Sequence, residues 1–182
     1  FDAGSFSRHW KRVHERYTGY RTMATRHTYQ NLREGLSGIY AASDIDDMGG
    51  ATRTVGLLLS ASNETEVLSQ AAAACQLTHK HPVAVVAAQF VALSAWRVAW
   101  RGEQPRAAME AAVGIIGDDT LSALFHIAIR KLTEATDSGT ALNKQGDKRV
   151  DDLALTSMLQ KNWSPHGEVW MGGKASPVHG AL

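Results

Sequence analysis

Two short stretches hold most of the residues whose types could do chemistry. The first, Asp46-Asp47-Met48-Gly49-Gly50-Ala51-Thr52-Arg53, sets acidic residues before a paired glycine and an arginine after it. The second, Leu77-Thr78-His79-Lys80-His81-Pro82, is a polar turn carrying two histidines. Asp44, Asp46 and Asp47 together invite a cation, but no bidentate Glu follows at the distance a calcium loop needs. The plainer role for these aspartates is to favour the N-terminus of the segment that follows. His79 and His81 stand two apart rather than four and have no third ligand nearby, which argues against zinc. No metal ligand is therefore assigned within the chain. Arg53 sits among apolar neighbours and needs an anionic partner: Asp44, Asp46, Asp47, or the carboxylate or phosphate of a ligand.

The remaining residues read as scaffold. Phe6, Trp10, Val13, Tyr17 and Tyr20 recur at three- and four-residue spacings, a helical face closed by Gly19, with Arg8, Lys11, Arg12, Glu15 and Arg16 mostly outward. Basic residues interleaved with aromatics can mark a nucleic-acid surface, but a solvated amphipathic helix accounts for them more simply. Thr22 or Thr25 starts a second helix running to Gly35, and a loop from Gly35 to Gly50 follows. Asn63-Glu64-Thr65-Glu66 is a cap with an acidic first turn, leading through Val67 and Cys75 to Leu77. Pro82 then opens a long helix through Phe90 and Trp100, apolar nearly all round and so central in a bundle, ended by Arg101-Gly102.

Pro105 starts the next helix, and Gly117-Asp118-Asp119-Thr120 caps one from Leu121 to Leu132. Two adjacent aspartates look chemical, but they stand where a helix cap is expected. Residues 136–148 are polar and glycine-bearing and read as a flexible linker, with a short helix from Asp151 to Lys161 beyond them. The expected class is all-α: a compact multi-helix bundle, residues 1–182 forming one domain.

Composition narrows the function classes. The chain has 182 residues, 44% hydrophobic and 20% charged, enough to bury a core without disulfides. A formal charge of +1 gives no global attraction to nucleic acid or an anionic membrane. Cys75, the single cysteine, lies among alanines and reads as a small buried residue rather than a nucleophile. The longest uncharged stretch, Pro82 to Trp96, spans 15 residues, short of a membrane span. Nothing resembles a signal peptide, since Arg8, Lys11 and Arg12 are not followed by an apolar run. A soluble, reducing compartment, cytoplasmic or an organelle's interior, is the expectation.

With these residues in view, the chain resembles the ADP-ribosylglycohydrolase family. Gly49-Gly50-Ala51-Thr52-Arg53 is similar to its N-G-G-A-M-R-type segment, and Thr78-His79-Lys80-His81-Pro82 to its Thr-His turn before an Ala-rich helix. Tyr17-Thr18-Gly19-Tyr20 and Thr25-Arg26-His27-Thr28 resemble helical segments upstream of the glycine turn. The stretch from Gly173 to Leu182 resembles the approach to a further core helix. The resemblance implies an all-helical hydrolase that splits the glycosidic bond between ADP-ribose and an acceptor with two magnesium ions. It implies that Gly49 and Gly50 let backbone approach the ligand, and that His79 lies beside the ligand's phosphates or ribose. Arg53 would brace the turn, with Asp47 as a second support.

The departures from the family pattern shape the expectation further. The acidic T-D-D-T-type and G-G-D-x-D-type metal motifs do not stand where the family places them, and Gly117-Asp118-Asp119-Thr120 matches neither by position. Met48 replaces the family's asparagine. The expectation is a bundle incomplete at both ends, with magnesium ligands not in this chain. The alternative is a non-catalytic member serving as a structural or interaction subunit of a larger assembly.

Overall fold

The computed structural model describes residues 3–137. The expected linker at 136–148 lies outside that range except for its first two residues, which close the last described helix. The expected helix from Asp151 to Lys161 and the stretch from Gly173 to Leu182 lie outside it as well.

Helix α1 (Ala3–Arg16) stops three residues before Gly19. Gly19 therefore does not close it. The Arg21 guanidinium does, donating through Nη2 to the carbonyl oxygens of His14 and Tyr17, which the last turn leaves without intrahelical donors. The aromatic stripe is not a buried face either, since Val13, Tyr17 and Tyr20 are exposed.

Side-chain caps set the next starts. Thr22 Oγ1 accepts the Thr25 N–H at 3.2 Å and opens α2 (Met23–Arg33). Short 3-10 helices at Gly38–Tyr40, Met48–Gly50 and Thr52–Leu59 fill the region expected to be a loop and an apolar run. Asn63 Oδ1 accepts the Glu66 N–H at 2.9 Å and opens α3 (Glu64–Gln76), with Glu64 and Glu66 suiting the positive end of the helix. His81 Nδ1 accepts the Val83 N–H at 3.3 Å, and Pro82 occupies the first turn of α4 (Pro82–Arg101). Gly102 ends α4 in the left-handed region, φ 64°, where a side chain would be strained. Helix α5 (Pro105–Ile116) follows.

The chain divides into two compact units, 1–116 and 117–182. In the first unit α4 is central, packing on α3, α5, the Thr52–Leu59 helix and the Met48–Gly50 turn. Its buried side includes Leu93 together with Ala84, Ala87, Ala88 and Ala92, small residues that let neighbours approach closely. By length and composition alone α4 is long and apolar enough to cross a membrane. In this fold it is a core helix on one side only, because Val98 and Trp100 near its end are exposed. Two indoles fasten it to the preceding segment: Trp96 Nε1 donates to Ala61 O at 3.0 Å and Trp100 Nε1 to Leu58 O at 2.7 Å. Arg97 holds Glu64 at the start of α3 and Glu103 beyond α4, the latter through two bonds of 2.7 and 2.8 Å.

In the second unit Asp118 Oδ1 accepts the Leu121 N–H at 2.8 Å and opens α6 (Asp119–Asp137), so this acidic pair serves a cap. Among the described residues there is no strand, only one isolated bridge between Ser43 and His79. The class is all-α.

Candidate functional site

The two chemistry-bearing stretches meet. Ser43 and the Thr78–Lys80 corner pair as a short parallel bridge, Ser43 N–H donating to Thr78 O at 3.0 Å and Lys80 N–H to Ser43 O at 2.8 Å. This carries Asp47 onto the His79 ring, where Nε2 and Oδ1 lie 2.6 Å apart. The same oxygen accepts the Gly49 N–H at 2.8 Å. Both partners are buried, His79 at 0% exposure and Asp47 at 5%. A carboxylate only accepts, so the His79 proton sits on Nε2, and in the neutral ring Nδ1 accepts the Thr78 hydroxyl 2.8 Å away.

Burial raises the Asp47 pKa, but the bond and charge of His79, the Gly49 N–H and the Thr22 hydroxyl outweigh it and hold the carboxyl below its ordinary value. The linkage follows from that sign. The carboxylate's contribution to stability is complete above the unfolded value of 3.8 and is lost as pH falls through the lower folded value. Acid unfolding of the protein is thus expected to flatten in Asp47→Asn below about pH 4. Denaturant midpoints measured from pH 2 to 7 check this, and parallel curves for the two proteins would refute it.

Arg53 braces the other end of the turn. Its Nη2 donates to Gly49 O at 3.3 Å, and its guanidinium lies 5.5 Å from the Phe6 ring of α1. Burial pulls its pKa down, against the opposing influence of Cys75 and Asp47. His14, also on α1, is held below its ordinary pKa by burial and by the charges of Arg21 and Arg53. Two solvent-inaccessible atoms of the turn have no hydrogen-bond partner among the described residues: Asp47 Oδ2 and Arg53 Nη1.

The glycines have a steric reason within the fold. A Cβ on Gly50 would lie 2.5 Å from Cys75 Sγ and 3.3 Å from the His79 side chain. One on Gly49 would lie 2.9 Å from Asp47 Oδ1 and 3.1 Å from the His79 ring. The close approach they permit includes that of the turn to His79 and Cys75 within the protein. His79, expected beside a ligand's phosphates or ribose, is likewise walled in, with both ring nitrogens engaged. Gly49 is partly exposed; Gly50 is buried. Cys75 is buried, and desolvation pushes its thiol to about 12, which leaves it without thiolate character at neutral pH.

One residue of this arrangement escaped sequence reasoning. The Thr28 hydroxyl donates to Thr78 O at 2.7 Å and accepts the Ser43 N–H at 3.1 Å, so α2 holds the bridge from behind. Its signal was a polar residue four positions from Ala24 on the face that α2 buries. Asp44 is exposed and Asp46 half-buried, and neither joins Asp47 in a cluster.

The magnesium pair that the resemblance implies does not fit these residues. No three His, Cys, Asp or Glu side chains converge among the described residues, and Asp47 has already committed one oxygen to His79 and Gly49.

No curated protein and no solved structure matches the chain. The family model described as ADP-ribosylglycohydrolase matches residues 1–170, nearly the whole length. The helical class, the glycine turn and the Thr-His corner that receives it thus stand in a chain that belongs to the ADP-ribosylglycohydrolase family.

Proposed function

We propose that the protein engages the ADP-ribose moiety of an ADP-ribosylated substrate on the outer side of the 46–53 turn, in a hydrolase of the family's type. Family membership implies the substrate class. The observation that carries the reading to this turn is the Asp47 Oδ1 that binds His79 at 2.6 Å and the Gly49 N–H at 2.8 Å together. That lock fixes the partly exposed Gly49 and its backbone before any ligand arrives, the preorganisation that binding rewards. In this reading Gly49 is the contact, while Gly50, His79, Asp47 and Arg53 hold the turn from beneath. Magnesium would be held by ligands other than the described residues, and no step of the reaction is assigned to the side chains of the turn.

Amide spectra recorded with added ADP-ribose, with and without magnesium, test this. Shifts centred on Gly49 to Arg53 are expected. No shift under either condition, or shifts confined to other helices, would sink the proposal.

A second reading is a non-catalytic family member acting as a structural or interaction subunit. It is favoured by Met48 at the position of the family's asparagine and by the absence of a converging acidic cluster among the described residues. Magnesium-dependent release of ADP-ribose from an ADP-ribosylated protein would exclude it.

A further inference from the structure

The positive charge of the chain is gathered at one end. Residues 1–35 hold seven Arg or Lys against three Asp or Glu, within a chain of net charge +1. Part of it lines a cavity of about 520 Å³ formed by Arg21, Arg26, Tyr29, Gln30, Arg33 and Glu34. Arg26 and Arg33 each stand three or four residues from both Tyr29 and Gln30, which puts the four on one side of α2. Ala24 and Thr28 are the residues α2 buries, so this is its outward side. Arg21 is swung onto this side by the bonds that close α1.

The Tyr29 ring is the floor. The Arg21 and Arg33 guanidinium carbons lie 5.3 and 6.0 Å from its centroid, each held by the π-system. The one carboxylate in the lining, Glu34, accepts from Gln30 Nε2 at 2.9 Å. No ion pair joins Arg21, Arg26 or Arg33 to any carboxylate among the described residues. Arg21 Nε is shielded from solvent and has no acceptor there. Three guanidinium groups around one cavity repel one another and offer planar, forked donors, which together favour an anion with several oxygens.

We propose that this cavity is an anion site that takes the phosphate groups of a small phosphorylated molecule. Its size falls in the range of small-molecule pockets. With its π-system already engaged by two guanidinium groups, Tyr29 is poorly placed to stack a nucleobase, which favours recognition of the phosphates over that of a strand. The site is separate from the proposed role of the glycine turn and stands or falls without it.

Inorganic pyrophosphate is the first probe, titrated calorimetrically into the full chain at low and at physiological salt. Saturable binding is expected, weakened at least tenfold in the Arg26→Gln, Arg33→Gln double variant. Both positions are exposed, so far-ultraviolet circular dichroism of the variant should match the parent. Arg21 is left intact because it closes α1. A second arm titrates single-stranded RNA oligomers of increasing length. No binding of pyrophosphate, or binding equal in the variant, overturns the site. Affinity that climbs with oligomer length and falls steeply with salt overturns the small-molecule assignment in favour of a nucleic-acid surface.

Discussion

His79→Ala is expected to cost the protein roughly 3–5 kcal/mol, the range for leaving a buried charge without its partner. Three losses coincide at this position. Asp47, 5% exposed, would keep a carboxylate with no histidine to offset its desolvation. The Thr78 hydroxyl would lose its acceptor. A cavity would open under Gly49 and Gly50, whose backbones approach the ring closely. Urea unfolding followed by circular dichroism gives the number. The double variant Asp47→Ala, His79→Ala is expected to cost clearly less than the two single changes added together, because the orphaned charge is gone. A cost below about 1 kcal/mol for His79→Ala, or strict additivity, would mean that something other than this pair holds the turn.

Gly50→Ala is the second change with a large expected effect. Its added methyl would lie 2.5 Å from Cys75 Sγ, a separation that real side chains do not tolerate, and 3.3 Å from the His79 ring. Neither neighbour can swing away, as both are 0% exposed. Overpacking of this kind costs roughly 1–3 kcal/mol and sometimes more. The compensating change tests the cause. Cys75→Ala removes the sulfur that the methyl meets, so the pair Gly50→Ala, Cys75→Ala should regain most of what Gly50→Ala loses. Equal destabilisation with and without the sulfur would place the fault in the backbone of the turn.

Much of the fold was legible because its helices begin on local chemistry. Thr22, Asn63, Pro82 and Asp118 each announce a helix within a few residues, and Gly102 ends one. The site was legible in its residues and less so in its logic. Asp47, Gly49, Gly50, Arg53 and His79 do come together, with His79 buried between turn and core. That burial goes with a contact between residues 32 apart, which no local pattern reveals. The closing of α1 was misassigned for a related reason. Gly19 is the usual punctuation, yet Arg21 reaches back to the free carbonyls and stops the helix sooner. Tyr17 and Tyr20 then fall beyond the helix, so their spacing no longer places them on its face.

The bridge between Ser43 and His79 also orders events in time. Helices α3, α4 and α5 follow one another in sequence and pack in that same order, so they can condense through nearby contacts. The polar lock instead closes one span of 32 residues through Asp47 and another of 50 through Thr28. Closing a long span has an entropic cost that the lock recovers only once its acceptors are already in place. The glycine turn is consequently expected to settle late in folding, after the helices that flank it have formed.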